Sequence, residues 1–388
     1  MITTEAWVLH RSQDGAPLTS ALETGDFRRE MFQIPDLEED EILAEPLYGG
    51  WEANMSHAIA RKPIDVCRQN KQETITVGNA GIVRALAVGA AVRGVREGDV
   101  GTMFSGAIVD PFGHMIAAHA YDAPGTIGML AKRMKLKSFQ FLHLPPNNPF
   151  TPQQWAAYMV RYMTAWSNWR VAFGAYRLQM SEQDDPTPHV WGWGGGTSFA
   201  ELDLARRHGC RAAMISSKPD RIAMIEAAGI AAVDRREFED LSYDAKRFAS
   251  DRAYRSSYEA VEGVFLDVVQ KRTEGKGVAI FIDNIGTPVT RATQKALGRQ
   301  GVICTAGWKR GMTVESNRAL ECIRRHTFVH THYARLSEWR AASEYSVQTG
   351  WMPDVTETYS WDDIPLLAAA DLNGALSSYF PVFAVNPV

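Results

Sequence analysis

The residues best suited to chemistry lie in His189-Val-Trp-Gly-Trp-Gly-Gly-Gly-Thr-Ser-Phe-Ala. Gly192, Gly194, Gly195 and Gly196 come within five positions, and Thr197 and Ser198 follow. An apolar run precedes them and an amphipathic stretch, Thr197 to Gly209, comes after. Backbone without a Cβ lets a phosphate approach closely. The first turn of a helix offers free N–H groups and the positive end of its dipole. A glycine turn between strand and helix, inside a βαβ unit, is the context of a dinucleotide loop. The alternative is a plain strand–helix turn. The last small position of the motif falls on Ser198.

The next strand tip, Ile215-Ser216-Ser217-Lys218-Pro219-Asp220-Arg221, bears on which dinucleotide. Sites for NAD hold an acid at the tip to bind the ribose 2′-hydroxyl. Here Ser216, Ser217 and Lys218 occupy the tip and Arg221 follows one turn later. Hydroxyls and cations suit a 2′-phosphate, which favours NADPH. Asp220 is an NAD-type alternative but lies beyond Pro219, and an ordinary capped helix start is the bland one. Two later tips, Ile282-Asp283-Asn284-Ile285-Gly286 and Cys304-Thr305-Ala306-Gly307-Trp308, end strands of the same predicted sheet. Ligands bind beyond the carboxyl ends of such strands. Asn284, Gly286, Gly307 and Trp308 are therefore candidates for the nicotinamide half, with simple turn chemistry as the alternative.

These residues need a scaffold. Strand-like and helix-like runs alternate from the helix predicted at Thr151-Pro152 onward, which argues for an α/β doubly wound parallel sheet. Before it, short apolar runs separated by Gly, Asp and Pro read as a β-rich domain. The tail reads as a helix and then a strand. A chain of 388 residues suggests two domains. With 45% hydrophobic residues and 22% charged, a normal core is expected. The net charge of -4 gives no basic excess, so nucleic acid is not an expected partner. No apolar run reaches the roughly 20 residues that span a bilayer. Four scattered cysteines, Cys67, Cys210, Cys304 and Cys322, show no metal or disulfide spacing, and a reduced, cytoplasmic protein is expected.

Motifs along nearly the whole chain resemble the medium-chain dehydrogenase/reductase superfamily. They are "LEEDEILAEPLYGGWEAN" (the first active-site loop), "VGNAGIVRALAVGAAVRGVREGD" and "WGWGGGTSFA". The resemblance implies a GroES-like catalytic domain over 1–152 and 337–388 and a Rossmann NADP-binding domain over 153–336. Zinc-dependent members carry a Cys in the first loop and a later Gly-His-Glu. Here Glu52 stands in that loop, and Gly78-Asn79-Ala80 replaces the triplet, so a zinc-free branch is implied. "WEANMSHAIARKPIDV", "EGKGVAIFIDNIG" and "RRHTFVHTHYARLSEWRAASEY" are most similar to crotonyl-CoA carboxylase/reductases and enoyl reductases. "AIVDPFG" lacks the acidic pair associated with the carboxylating members, which argues against carboxylation and leaves simple reduction open, without deciding whether carboxylation accompanies it.

The chemistry implied is hydride transfer from NADPH to an activated double bond of an α,β-unsaturated thioester on CoA or a carrier protein. A quinone or aldehyde reductase, or a non-catalytic NADPH-binding protein, is the alternative. An enolate forming in that reaction needs hydrogen-bond donors and a proton. Glu52, Asn54 and His332 are the candidate catalytic residues, with Tyr48 and His57 behind them. Glu52 is expected either to donate a proton or to orient Asn54 or a water that does so. The resemblance puts Thr164 beside the carboxamide, and Asn168 lies on the same helix. Lys132, Arg133, Lys135 and Lys137 read as a solvated face or as a dock for substrate phosphates. The segment 311–317 is expected to be an edge strand serving a homodimer.

Overall fold

Strands His189–Trp193 and Val278–Asp283 are buried at every position, the pattern of a parallel sheet covered on each side. The computed structural model describes residues 2–15, 18–311 and 313–387. The chain divides into two units. One runs up to Met163 and resumes at Arg335; the other is Thr164–Ala334. Helix Pro152–Arg177 runs through the first of these boundaries. Its start is fixed as its sequence suggests. Thr151 Oγ1 accepts from Gln154 N at 3.3 Å, and Gln154 Oε1 accepts from Thr151 N at 3.1 Å.

In the second unit six strands form one parallel sheet. Their spatial order is Ala231–Asp234, Arg211–Ser216, His189–Trp193, Val278–Asp283, Leu297–Thr305, Thr327–His330. The first strand in sequence, His189–Trp193, therefore sits beside the fourth, and strand order reverses between them. This is the doubly wound architecture expected. Its core joins Trp191, Trp193, Ile215, Phe265, Phe281 and Val289.

In the other unit, strand Glu41–Gly50 is the hub. It pairs with Gly81–Val88, with Met134–Lys137 and with the C-terminal strand Val382–Ala384, all antiparallel. The tail thus closes the N-terminal sheet, and Trp51, Met55, Ile59, Leu367 and Phe383 share its core.

Three expectations change. The segment 313–317 carries no strand, and Met312 lies outside the described residues. "VGAAVRGVREGDV", read as strand, turn and strand, contributes only its end residues to strands: Val88 ends Gly81–Val88 and Val100 begins Val100–Met103, the two strands pair antiparallel, and the residues between them turn at Gly94 and Gly98, both at positive φ. Helix Arg252–Arg272, capped by Asp251 Oδ1 at 3.0 Å from Tyr254 N, was not anticipated. Among the described residues, no helix is long and apolar enough to cross a membrane.

Candidate functional site

The glycine turn lies at the carboxyl end of the sheet's first strand. Gly192 is still strand, and its missing Cβ leaves room for Ile282 and Leu202, which a methyl would meet at 3.2 and 3.3 Å. Its contribution is close helix–sheet packing. Gly194 has φ 144°, and a Cβ there would lie 2.2 Å from Ser198 Oγ. Only glycine fits. Gly195 is the N-cap of helix Gly196–Arg207, and a Cβ there would meet nothing within 4 Å. The open face of the turn is therefore at Gly195, over the first amides of a twelve-residue helix that includes Thr197.

Ser198, in place of the motif's last glycine, is fully buried. Its Oγ donates to Trp193 O at 3.0 Å and accepts from Asn284 Nδ2 at 2.8 Å. Asn284 Oδ1 in turn accepts from Ala306 N at 2.8 Å. One asparagine thus links the tips of strands His189–Trp193, Val278–Asp283 and Leu297–Thr305, where strand order reverses. Gly286, at φ 95°, caps helix Thr287–Ala296. Gly307 O accepts from Thr305 Oγ1 at 2.8 Å. Trp308, 42% exposed, stacks on His332 with centroids 5.0 Å apart and planes 27° apart.

At the neighbouring tip, Ser216 ends its strand buried and Ser217 is exposed. Lys218 is the N-cap of helix Pro219–Ala227, and Asp220 and Arg221 lie in its first turn. Asp220 points from the helix rather than from the strand end, so the tip itself carries hydroxyls and a cation. Thr164 is buried on helix Pro152–Arg177. Asn168 is fully buried, and its amide is committed to Glu201 and Thr331.

In the other unit Glu52 caps helix Ala53–Ala60 and is 4% exposed. Its Oε1 accepts from Arg161 Nη1 at 2.9 Å, and the same guanidinium donates to Trp51 O. Burial raises the Glu52 carboxyl above the usual carboxylate range; Arg161 opposes this and Asp371 adds to it. Glu52 makes no hydrogen bond to Asn54, so that part of the expected orienting role is corrected. Asn54 Nδ2 donates to Asn79 Oδ1 at 3.2 Å, and Asn54 Oδ1 accepts from Tyr121 OH at 3.0 Å. Asn79 stands where the family triplet has His; it is fully buried, and its Nδ2 has no partner among the described residues. Arg161 and Tyr121 were missed from sequence, because nothing local ties them to the loop, and Asn79, singled out there only as a departure from the triplet, was not foreseen as a partner of Asn54. Tyr48 and His57 are half-buried on flanking elements.

Two of the four basic residues of the lysine run are held by carboxylates, as suits the solvated-face reading. Lys137 pairs with Glu38 and Asp40 at 2.8 and 2.9 Å, and Lys135 with Glu41 at 2.6 Å. Lys132 lies 4.5 Å over the Trp361 ring, and Arg133 is exposed. Among the described residues no group of three or more His, Cys, Asp or Glu could hold a metal ion.

No protein-family model matches the sequence, and no curated protein sequence does. Solved structures do match in fold. The chain is similar to the crotonyl-CoA carboxylase/reductase AntE in complex with NADP, with TM-score 0.79 and 17% identity over 100% of this chain and 95% of that one. It is similar to the 2-octenoyl-CoA carboxylase reductase CinF in complex with NADP and 2-octenoyl-CoA, with TM-score 0.77 and 17% identity over 100% and 88%. A thermostable alcohol dehydrogenase from Pyrobaculum aerophilum gives TM-score 0.73 and 14% identity over 99% and 100%. The fold is thus the one that the motif resemblance implied.

Proposed function

We propose that this chain is an NADPH-dependent, zinc-independent reductase that delivers hydride to an activated double bond, with an α,β-unsaturated thioester as its substrate class. The observation that carries the reading is the switch point of the sheet. There, an open glycine turn at a helix N-terminus lies one strand from a tip bearing Ser216, Ser217, Lys218 and, one turn on, Arg221. Solved structures of the same fold include reductases bound to NADP, one of them with an enoyl-CoA.

The residues fit the dinucleotide. Gly194, Gly195 and Gly196 would hold the pyrophosphate on helix amides, with Thr197 and Ser198 in the first turn. Lys218 and Arg221 would hold the 2′-phosphate. Gly286, Gly307 and Trp308, with Asn284 bracing the strand tips, would flank the nicotinamide half, and Thr164 would stand beside its carboxamide. Bound there, the dinucleotide supplies a hydride. Asn54 and His332 are the candidates to donate hydrogen bonds to the oxygen on which charge develops. Glu52 acts by holding Arg161 rather than as a free acid.

A second reading, reduction of a quinone or an aldehyde, is favoured by the carboxylate pairing of Lys135 and Lys137, which leaves fewer cations for a substrate phosphate. Four unpaired cysteines support a reducing, cytoplasmic setting. Strand Thr327–His330, at the sheet's margin, supports assembly as a homodimer.

Oxidation of NADPH, followed by absorbance with enoyl thioesters, quinones and aldehydes, separates the two readings. Lys218→Ala with Arg221→Ala should weaken NADPH binding far more than NADH binding, by roughly 1.5–3 kcal/mol per lost charge-assisted contact. Equal losses for both cofactors would remove the assignment.

A further inference from the structure

Glu201 lies on helix Gly196–Arg207, is fully buried, and has no part in the chemistry proposed above. Two elements face its carboxyl. From helix Pro152–Arg177, Asn168 Nδ2 donates to both oxygens, at 3.1 and 3.0 Å. From strand Leu297–Thr305, the Cys304 thiol lies 3.4 Å from Oε1. Asn168 Oδ1 accepts from Thr331 Oγ1 at 2.6 Å. Thr331 N also donates to Thr305 O at 3.0 Å. The next residue is His332, whose ring stacks on Trp308.

An asparagine amide has one donating end and one accepting end. A carboxyl group on one side of Asn168 claims the donating end. The accepting end must then face Thr331. Reversing Asn168 would set its carbonyl against the carboxyl of fully buried Glu201 and leave polar groups unpaired. The order Glu201, Asn168, Thr331 is therefore determined from its most buried member outward.

We propose that Glu201 is a positioning residue that, through Asn168, fixes Thr331 and so sets the His332 ring against Trp308. That this stack flanks the nicotinamide half rests on the function proposed above; the ordering of residues 331–333 does not.

Among the described residues no Lys, Arg or His forms an ion pair with Glu201. Asp283 bears on the neighbouring Cys304 thiol. Burial pushes the Glu201 carboxyl up to about 8, against the pull of Asn168 and Cys304. At neutral pH the group is an acid whose O–H can turn to the Cys304 sulfur. Above that pH it becomes a buried anion without a cation.

The test is hydrogen exchange at backbone amides 331–333 in the cofactor-free protein, across pH 6–9. Glu201→Gln keeps an acceptor for Asn168 and a donor for Cys304, and should retain protection. Glu201→Leu should lower it by about tenfold while helix Arg252–Arg272 keeps its own. Wild-type protection should decline as pH rises through about 8, and that of Glu201→Gln should not. The proposal is overturned if the Leu variant keeps protection at 331–333, or if wild type and Gln give the same pH profile. The second comparison holds even when the Leu variant does not fold. A separate NADPH titration should give weaker binding for Leu than for Gln. A protein that orders 331–333 as expected yet binds no NADPH would sink the proposed function and leave the positioning role intact.

Discussion

Glu52 and Glu201 are both buried carboxyls, and their partners give them opposite consequences. Glu52 is matched by Arg161, so Glu52→Gln strands a buried guanidinium. Removing one partner of such a pair costs about 3–5 kcal/mol. Urea unfolding should register that loss, and Glu52→Leu with Arg161→Leu should recover most of it. An unchanged midpoint for the single variant would mean that the pair is dispensable. Glu201 has no cation, and its pKa rises from 4.5 to about 8 on folding. Between those values the folded state holds a proton that the unfolded state has released. Stability therefore falls as pH rises through this window and levels off above it. Glu201→Gln does not titrate, so it should gain on wild type from pH 5 to 8. Parallel stability curves would contradict the assignment.

At the scale of elements, the glycine turn separates folding from binding. Gly194→Ala meets both a positive φ and the Ser198 hydroxyl, and should destabilise the protein by more than about 1 kcal/mol. Gly195→Ala meets nothing and has an ordinary φ of -110°, so its melting temperature should stay near wild type. If a pyrophosphate lies over that residue, the same methyl should cost at least about tenfold in NADPH affinity. Intact binding by Gly195→Ala would move the phosphate elsewhere. The turn was legible because glycine spacing, a preceding strand and a following helix are local facts. The interstrand hydrogen bonds of Asn284 were not, since its partners Ser198 and Ala306 are set by sheet order.

For the whole molecule, metal content and assembly can be checked directly. Chelator-treated protein should contain well under one zinc per chain with activity unchanged. A tightly held zinc lost together with activity would contradict the zinc-independent reading. Light scattering at micromolar concentration should give twice the mass of one chain, and a monomer would remove the homodimer.

The sequence by itself determined the β-rich beginning, the parallel sheet and the strand–glycine–helix turn, because periodicity, turn residues and caps act over a few positions. It also located the cationic tip at Lys218 and Arg221. Only the tertiary structure decided what the polar candidates touch. Glu52 met Arg161, more than a hundred positions away, instead of Asn54. The lysines met Glu38, Asp40 and Glu41 across a strand pairing. Asn168, read as a cofactor contact, became the middle of a buried chain between Glu201 and Thr331. Burial and long-range pairing set the ionisation and orientation of such groups, and neither is encoded in the residues next to them.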